Sequence, residues 1–339
     1  MSAGNDLQEL ADRLFTDKAG HDAVLAAEQS PLLQELWHTV AALGLPAIGI
    51  DETAGGSGGT LTDTVTWLTA AGRHAVPLPL LEHHLALWLL TASGGRAEGN
   101  APWTIAPPGQ TLTLDGNTAT GTLHDVAWGG GSECVVVHTG TNLLVLDTGD
   151  ATVTPGRDLA GQPRDTLTFE RAGAEVRPCP VPADHLARRG AVLRAAQMAG
   201  AMAAVNELSR RYTAERRQFG RPIGTFQAVR RHLVFLAQMA VTTQLAVDRA
   251  ALALDASFAA FAAKLLADDN AAVTVRSGHQ VHGAIGMTRE YPLQDFTRRL
   301  NAWRGDWGTQ SALGERIGTA VAGARRIASV ATDEGSLPV

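Results

Sequence analysis

Tyr212-Thr213-Ala214-Glu215-Arg216-Arg217-Gln218-Phe219-Gly220-Arg221-Pro222-Ile223-Gly224-Thr225-Phe226-Gln227 interrupts two long helical runs. Arg216 falls near the end of the first helix. Gly220, Pro222 and Gly224 break the chain, and Thr225 is placed to N-cap the next helix through its hydroxyl. Two readings of this loop are open on composition. In one, it joins two bundle helices and Arg216 meets the C-terminal helix dipole. In the other, Arg216 neutralises a diphosphate with its planar fork, while the amides of Gln218 and Gln227 add hydrogen bonds.

Working outward, apolar residues on the C-terminal side hold one helical face through Phe226, Val229, Leu233, Leu236, Ala240, Thr243, Val247, Ala250 and Leu254. The small residues from Ala195 to Ala204 on the other side let helices approach closely, as in a bundle. Residues 1–100 also read as helical, with Leu7, Leu10 and Leu14, then Leu32, Leu33, Leu36, Val40 and Leu43, at helical spacing. Between them, residues 101–183 carry short β-prone runs at 111–114, 134–138, 143–146 and 166–169. Turn signals such as Asp115-Gly116-Asn117 separate these runs. The expectation is an α+β chain of three domains. An N-terminal helical domain spans 1–100, a small middle antiparallel β domain 101–183, and a C-terminal helical bundle 184–339.

Composition narrows the function classes. At 339 residues the chain is too long for one ordinary core. A net charge of −6 without a basic stripe argues against nucleic acid as a partner. The two cysteines, Cys134 and Cys179, make no Cys-x-x-Cys pair, which fits a reducing compartment. The N-terminal residues lack a basic region followed by an apolar run, and no stretch reaches the ~20 apolar residues of a membrane span. A cytoplasmic, soluble chain is therefore expected. Gly55-x-Ser57-x-Gly59 matches the hydrolase elbow pattern only in letters, because no alternating βα pattern surrounds it. His279 and His282 have no acidic or cysteine neighbour to complete a metal shell, so a packing or capping role is expected and no metal site.

A second stretch, His279-Gln280-Val281-His282-Gly283-Ala284-Ile285-Gly286 followed by Glu290-Tyr291-Pro292, turns the loop reading toward binding. Together the two stretches resemble the acyl-CoA dehydrogenase family. Its pattern Arg-x-x-Phe-Gly-x-x-Ile-x-x-Phe-Gln is met at Arg216, Phe219, Gly220, Ile223, Phe226 and Gln227. Its Gln-x-x-Gly-Gly-x-Gly is met at Gln280, Gly283 and Gly286, with Ala284 replacing the second glycine. Further matches are Trp37, Leu43-Gly44-Leu45, Gly55-Gly56-Ser57-Gly58, Gly72-Arg73 and Pro77-Leu78-Pro79. The resemblance implies that Arg216, Gln218, Phe219, Gln227, Gln280, Gly283 and Ala284 hold the ADP half of FAD in a site shared between subunits.

The family's catalytic carboxylate is missing. Removal of an α-proton from an acyl-CoA needs a base, and most members place a Glu directly before a Gly-Thr pair. Here that pair is Gly308-Thr309, preceded by Trp307, with Asp306 one residue out of register. Other members place the Glu on the helix leading into the loop, where this chain has Gly190. Flavin-ring contacts are eroded as well, with Ala106-Pro107-Pro108-Gly109 and Asp125-Val126-Ala127 in place of the family's motifs. The resemblance therefore implies a shortened subunit with no catalytic residue of its own. Such a subunit would belong to a heteromeric (α2β2) acyl-CoA dehydrogenase of the kind used in bacterial steroid degradation. A longer homologue would carry the catalytic Glu, and FAD and the acyl-CoA would be shared between the two. The alternatives are a homomeric flavoprotein with altered chemistry and a flavin-free structural or regulatory paralogue.

Overall fold

The computed structural model describes residues 3–30, 32–254, 257–324 and 330. In chain order the elements are α1 (Ala3–Lys18), α2 (His21–Ala27), α3 (Gln34–Ala42), α4 (Leu61–Arg73) and α5 (Leu80–Ala92), followed by the strands. These are β1 (Trp103–Ile105), β2 (Thr113–Asp115), β3 (Thr118–Ala127), β4 (Cys134–His138), β5 (Asn142–Asp147), β6 (Ala151–Thr154) and β7 (Arg164–Pro178). Then come α6 (Ala183–Glu215), β8 (Arg217–Gln218), β9 (Arg221–Pro222), α7 (Gln227–Leu252), α8 (Ser257–His282), α9 (Leu293–Trp303) and α10 (Gln310–Gly323). The order helical, β, helical is the one read from the sequence. The chain forms two compact units, one of residues 22–64 and 77–190, the other of residues 1–21, 65–76 and 191–339.

In the first unit the sheet runs β1-β4-β5-β7-β3-β2, with β6 also on β7. The 15-residue β7 pairs with β5 through one half and with β3 and β6 through the other. Leu123, Val135, Val137, Leu144, Leu146, Leu167 and Phe169 alternate inward and form its core. One pairing departs from the antiparallel expectation, because β1 runs parallel to β4 with Trp103 opposite Cys134. Parallel neighbours need a long crossover, and the intervening chain contains the β2–β3 hairpin. Both cysteines are free.

In the second unit, α6 lies against α4 at van der Waals distance because both helices carry glycine at the crossing. A Cβ at Gly200 would stand 1.9 Å from the Thr69 carbonyl oxygen, and one at Gly72 would stand 2.0 Å from that of Gln197. Any larger residue would force the helices apart. Helices α7 and α8 pack together, and Asn270 donates to the hydroxyls of Thr243 at 2.9 Å and Thr242 at 3.1 Å. The buried stripe of α7 is Leu236, Ala240, Thr243, Val247 and Ala250, shorter than the face read from the sequence. Phe226, Val229 and Leu233 are only half-buried, and Leu254 lies beyond the helix. A second α7 stripe of Val234, Val241, Leu245 and Leu252 is exposed. Among the described residues no helix is long and apolar enough to cross a membrane.

Candidate functional site

The loop at 216–226 is a small hairpin. Arg217 pairs with Pro222 and Gln218 with Arg221, and Phe219 and Gly220 form the two-residue turn between them. Both turn residues have positive φ, 51° and 79°, as a tight type I′ connection requires. Glycine accepts that conformation freely, whereas phenylalanine is strained in it. Phe219 is nevertheless 91% exposed, and its ring stands edge-on to Phe226 with centroids 6.1 Å apart. The hairpin is anchored by Arg216 N donating to Tyr212 O at 2.8 Å and Ile223 N donating to Arg216 O at 2.8 Å. Thr225 does not cap α7, contrary to expectation. Its hydroxyl donates back to Pro222 O at 2.7 Å inside a short 3-10 turn, and Phe226 occupies the cap position without a side-chain bond.

The second stretch closes α8. His282 is the last helical residue, and Gly283 follows at φ 62° with open space where a Cβ would project. The two stretches meet through an aromatic cluster that sequence spacing did not reveal. The Tyr212 ring stacks on His282 at 4.8 Å, and Tyr291 stands 5.0 Å from His282 and 6.0 Å from Tyr212. His282 Nδ1 bonds Gly278 O at 2.8 Å, and burial lowers its pKa, keeping the ring neutral. His279 Nε2 lies 3.1 Å from Thr297 Oγ1. The packing role expected for both histidines is thus what the structure displays, and the described residues contain no cluster suited to a metal.

The side chains of Arg216, Gln218, Gln227 and Gln280 are exposed, and among the described residues none of them makes a hydrogen bond or ion pair. Ala284, Ile285 and Met287 are exposed as well. A guanidinium and amides without partners among the described residues, and a glycine open to backbone approach, are groups whose chemistry suits an anion.

The position expected for the base is built differently. Asp306 binds Arg194, whose Nη2 stands 3.1 Å from Oδ2, with side chains 13% and 4% exposed respectively. Arg194 also bonds Gln197 and stacks over Trp303 at 5.3 Å. Trp307 takes φ 57° and Gly308 φ 115°, and Thr309 N-caps α10 by accepting from Ala312 N at 3.3 Å. Below the turn, Lys264 Nζ bonds Asp268 Oδ1 at 2.6 Å and Gly308 O at 3.5 Å. Both members of that pair are fully buried. Desolvation raises the Asp268 carboxyl to about 6 and lowers Lys264. The carboxylates here hold cations in place. Gly190, the other candidate position, is buried in α6 and offers no acid.

Within the sheet unit, Asp125–Ala127 forms the bulged end of β3. Asp125 has φ 55° and lies 3.8 Å from Arg164, Val126 is fully buried, and the Ala127 carbonyl accepts from Thr104. Ala106 is buried against β4 through its N–H to Val136 O at 2.9 Å. Val126 and Ala106 are buried aliphatic residues, and the backbone of Ala127 and Ala106 is already hydrogen-bonded within the sheet unit.

The family model for the acyl-CoA dehydrogenase C-terminal domain matches residues 186–322. Acyl-CoA dehydrogenase IpdE2 of Mycolicibacterium smegmatis is 30% identical over 302 residues, covering 87% of this chain and 91% of the relative. The Tcur3481-Tcur3483 steroid ACAD superposes with a TM-score of 0.85 at 27% identity, over 94% of this chain and 97% of that one. The ChsE4-ChsE5 complex from Mycobacterium tuberculosis contains a chain with TM-score 0.86 at 21% identity, over 96% and 99%, a likeness of fold. The chain belongs to the acyl-CoA dehydrogenase family.

Proposed function

We propose that this chain is the non-catalytic subunit of a heteromeric acyl-CoA dehydrogenase. It would lend the ADP-binding edge of a shared FAD site, and a longer homologous subunit would carry the catalytic Glu. One observation carries this reading. The side chains of Arg216, Gln218, Gln227 and Gln280 are exposed and make no hydrogen bond or ion pair among the described residues, whereas Asp306, beside the position of the base, is tied to Arg194. A structural histidine or arginine normally finds a partner in its own chain; a group kept open is suited to a ligand or another chain.

FAD fits the residues present. Arg216 would hold the diphosphate, Gln218, Gln227 and Gln280 would add amide bonds, and Gly283 and Ala284 would let the ADP moiety approach the backbone. When bound, FAD supplies the two-electron acceptor for α,β-dehydrogenation. This chain's own residues orient and screen the cofactor, and Phe219 would cover it from water. The exposed α7 stripe supports assembly, since Val234, Val241, Leu245 and Leu252 form one apolar face left uncovered by the described residues. The likeness to the Tcur3481-Tcur3483 steroid ACAD, at 27% identity, favours a steroid-derived acyl-CoA as substrate.

The test is co-expression with a longer homologue that retains the Glu. A complex of unlike chains that oxidises a steroid side-chain CoA thioester, where neither chain alone does so, is expected. Full activity of this chain by itself would overturn the proposal.

A further inference from the structure

A cavity of about 270 Å3 opens between α1, α4 and α7, with Arg73 of the Gly72-Arg73 pair on its wall. Gln8, Thr66, Thr69, Arg73, Gln244 and Asp248 line it, and Ala70 adds an apolar wall. The space exceeds several times the ~30 Å3 that a water occupies in the liquid. Arg73 and Asp248 face this space with opposite charges, yet no ion pair joins them, and Arg73 makes no hydrogen bond or ion pair among the described residues. Arg73 Nε and Thr69 Oγ1 are buried without a hydrogen-bond partner. On the opposite wall, Gln244 Nε2 donates to Asp248 Oδ1 at 2.7 Å. That bond leaves Asp248 Oδ2 and Gln244 Oε1 as acceptors.

Buried donors without partners cost free energy, and here they share a chamber with an acceptor pair across from them. A simple anion would gain Arg73 but face Asp248, and a simple cation would meet the reverse conflict. A molecule carrying both charges satisfies both walls. We infer that this cavity binds a small zwitterion, its carboxylate on Arg73 and Thr69 and its ammonium on Asp248 and Gln244. Apart from Ala70 the lining residues are polar or charged, so the ligand class is a free amino acid with a small or polar side chain.

The experiment is titration calorimetry and thermal melting of the full chain with glycine and L-serine, against acetate and methylammonium as single-charge controls. Saturable binding and a rise in Tm with a zwitterion are expected, with affinity at least tenfold weaker in both Arg73→Gln and Asp248→Asn. The near-isosteric Asp248→Asn keeps the test decisive if Arg73→Gln fails to fold. Absence of saturable binding by either amino acid would overturn the inference. So would unchanged affinity in the folded variants, or equal binding of acetate or methylammonium.

Discussion

Replacing Asp306 by alanine separates the two roles that its position allows. We predict a loss of stability without a loss of chemistry. The substitution strands Arg194, whose side chain is 4% exposed, with its guanidinium over Trp303 and without its carboxylate at 3.1 Å. Breaking one side of a buried pair costs about 3–5 kcal/mol. Asp306 is 13% exposed and Gln197 still bonds Arg194, which favours the lower end, about 3 kcal/mol. For a chain of this size each kcal/mol moves Tm by roughly 2 °C, so a drop of about 6 °C is expected. Asp306→Asn keeps an acceptor for Arg194 and should fall between alanine and the parent. The assay is thermal melting of the chain, paired with turnover per bound FAD of the assembled enzyme. An unchanged Tm with turnover reduced a hundredfold or more, the scale of a lost general base, would refute the reasoning and place the base at Asp306.

Four further predictions follow the same logic. Arg216→Ala should weaken FAD retention in the assembled enzyme about tenfold or more, since a charged hydrogen bond contributes roughly 1.5–3 kcal/mol; equilibrium flavin titration checks this, with Tm of the chain unchanged. Lys264→Met should cost about 3–5 kcal/mol in urea unfolding by leaving Asp268 buried and unpaired, and the double change with Asp268→Leu should recover most of it. His83 is held neutral by burial, its pKa lowered to about 3, and its Nδ1 accepts from Trp103 N at 3.0 Å. Its contribution is therefore fully present above the unfolded value near 6.5 and is lost as pH falls toward about 3, by about 1.4 kcal/mol per pH unit, read as the stability difference from His83→Gln across that range. Trp307→Glu should create no additional active sites, measured as unchanged turnover per FAD, because a carboxylate without an adjoining flavin has nothing to serve.

Local signals account for what could be read from the sequence. The Phe219-Gly220 break was legible because glycine admits positive φ, and the hairpin forms there. The positive φ and exposure of Phe219 itself were not, since nothing local distinguishes it from a core phenylalanine. Thr225 has the right side chain for a cap, but a competing acceptor three residues back captures its hydroxyl. The parallel β1–β4 pair is a long-range choice of partner that alternation cannot encode. The same applies to Tyr212, His282 and Tyr291, which meet from distant stretches of the chain. Lys264 and Asp268 stand four apart and would ordinarily pair on a helix surface; their complete burial is rare for charged residues and left no trace in spacing.

The flavin content of the purified protein tests the central claim most directly. This chain alone, and the chain co-purified with a longer homologue bearing the Glu, should be compared by the flavin absorbance near about 450 nm. No stoichiometric flavin is expected in the lone chain, and one FAD per pair of unlike chains is expected in the complex. A lone chain that retains FAD one-to-one would contradict the claim.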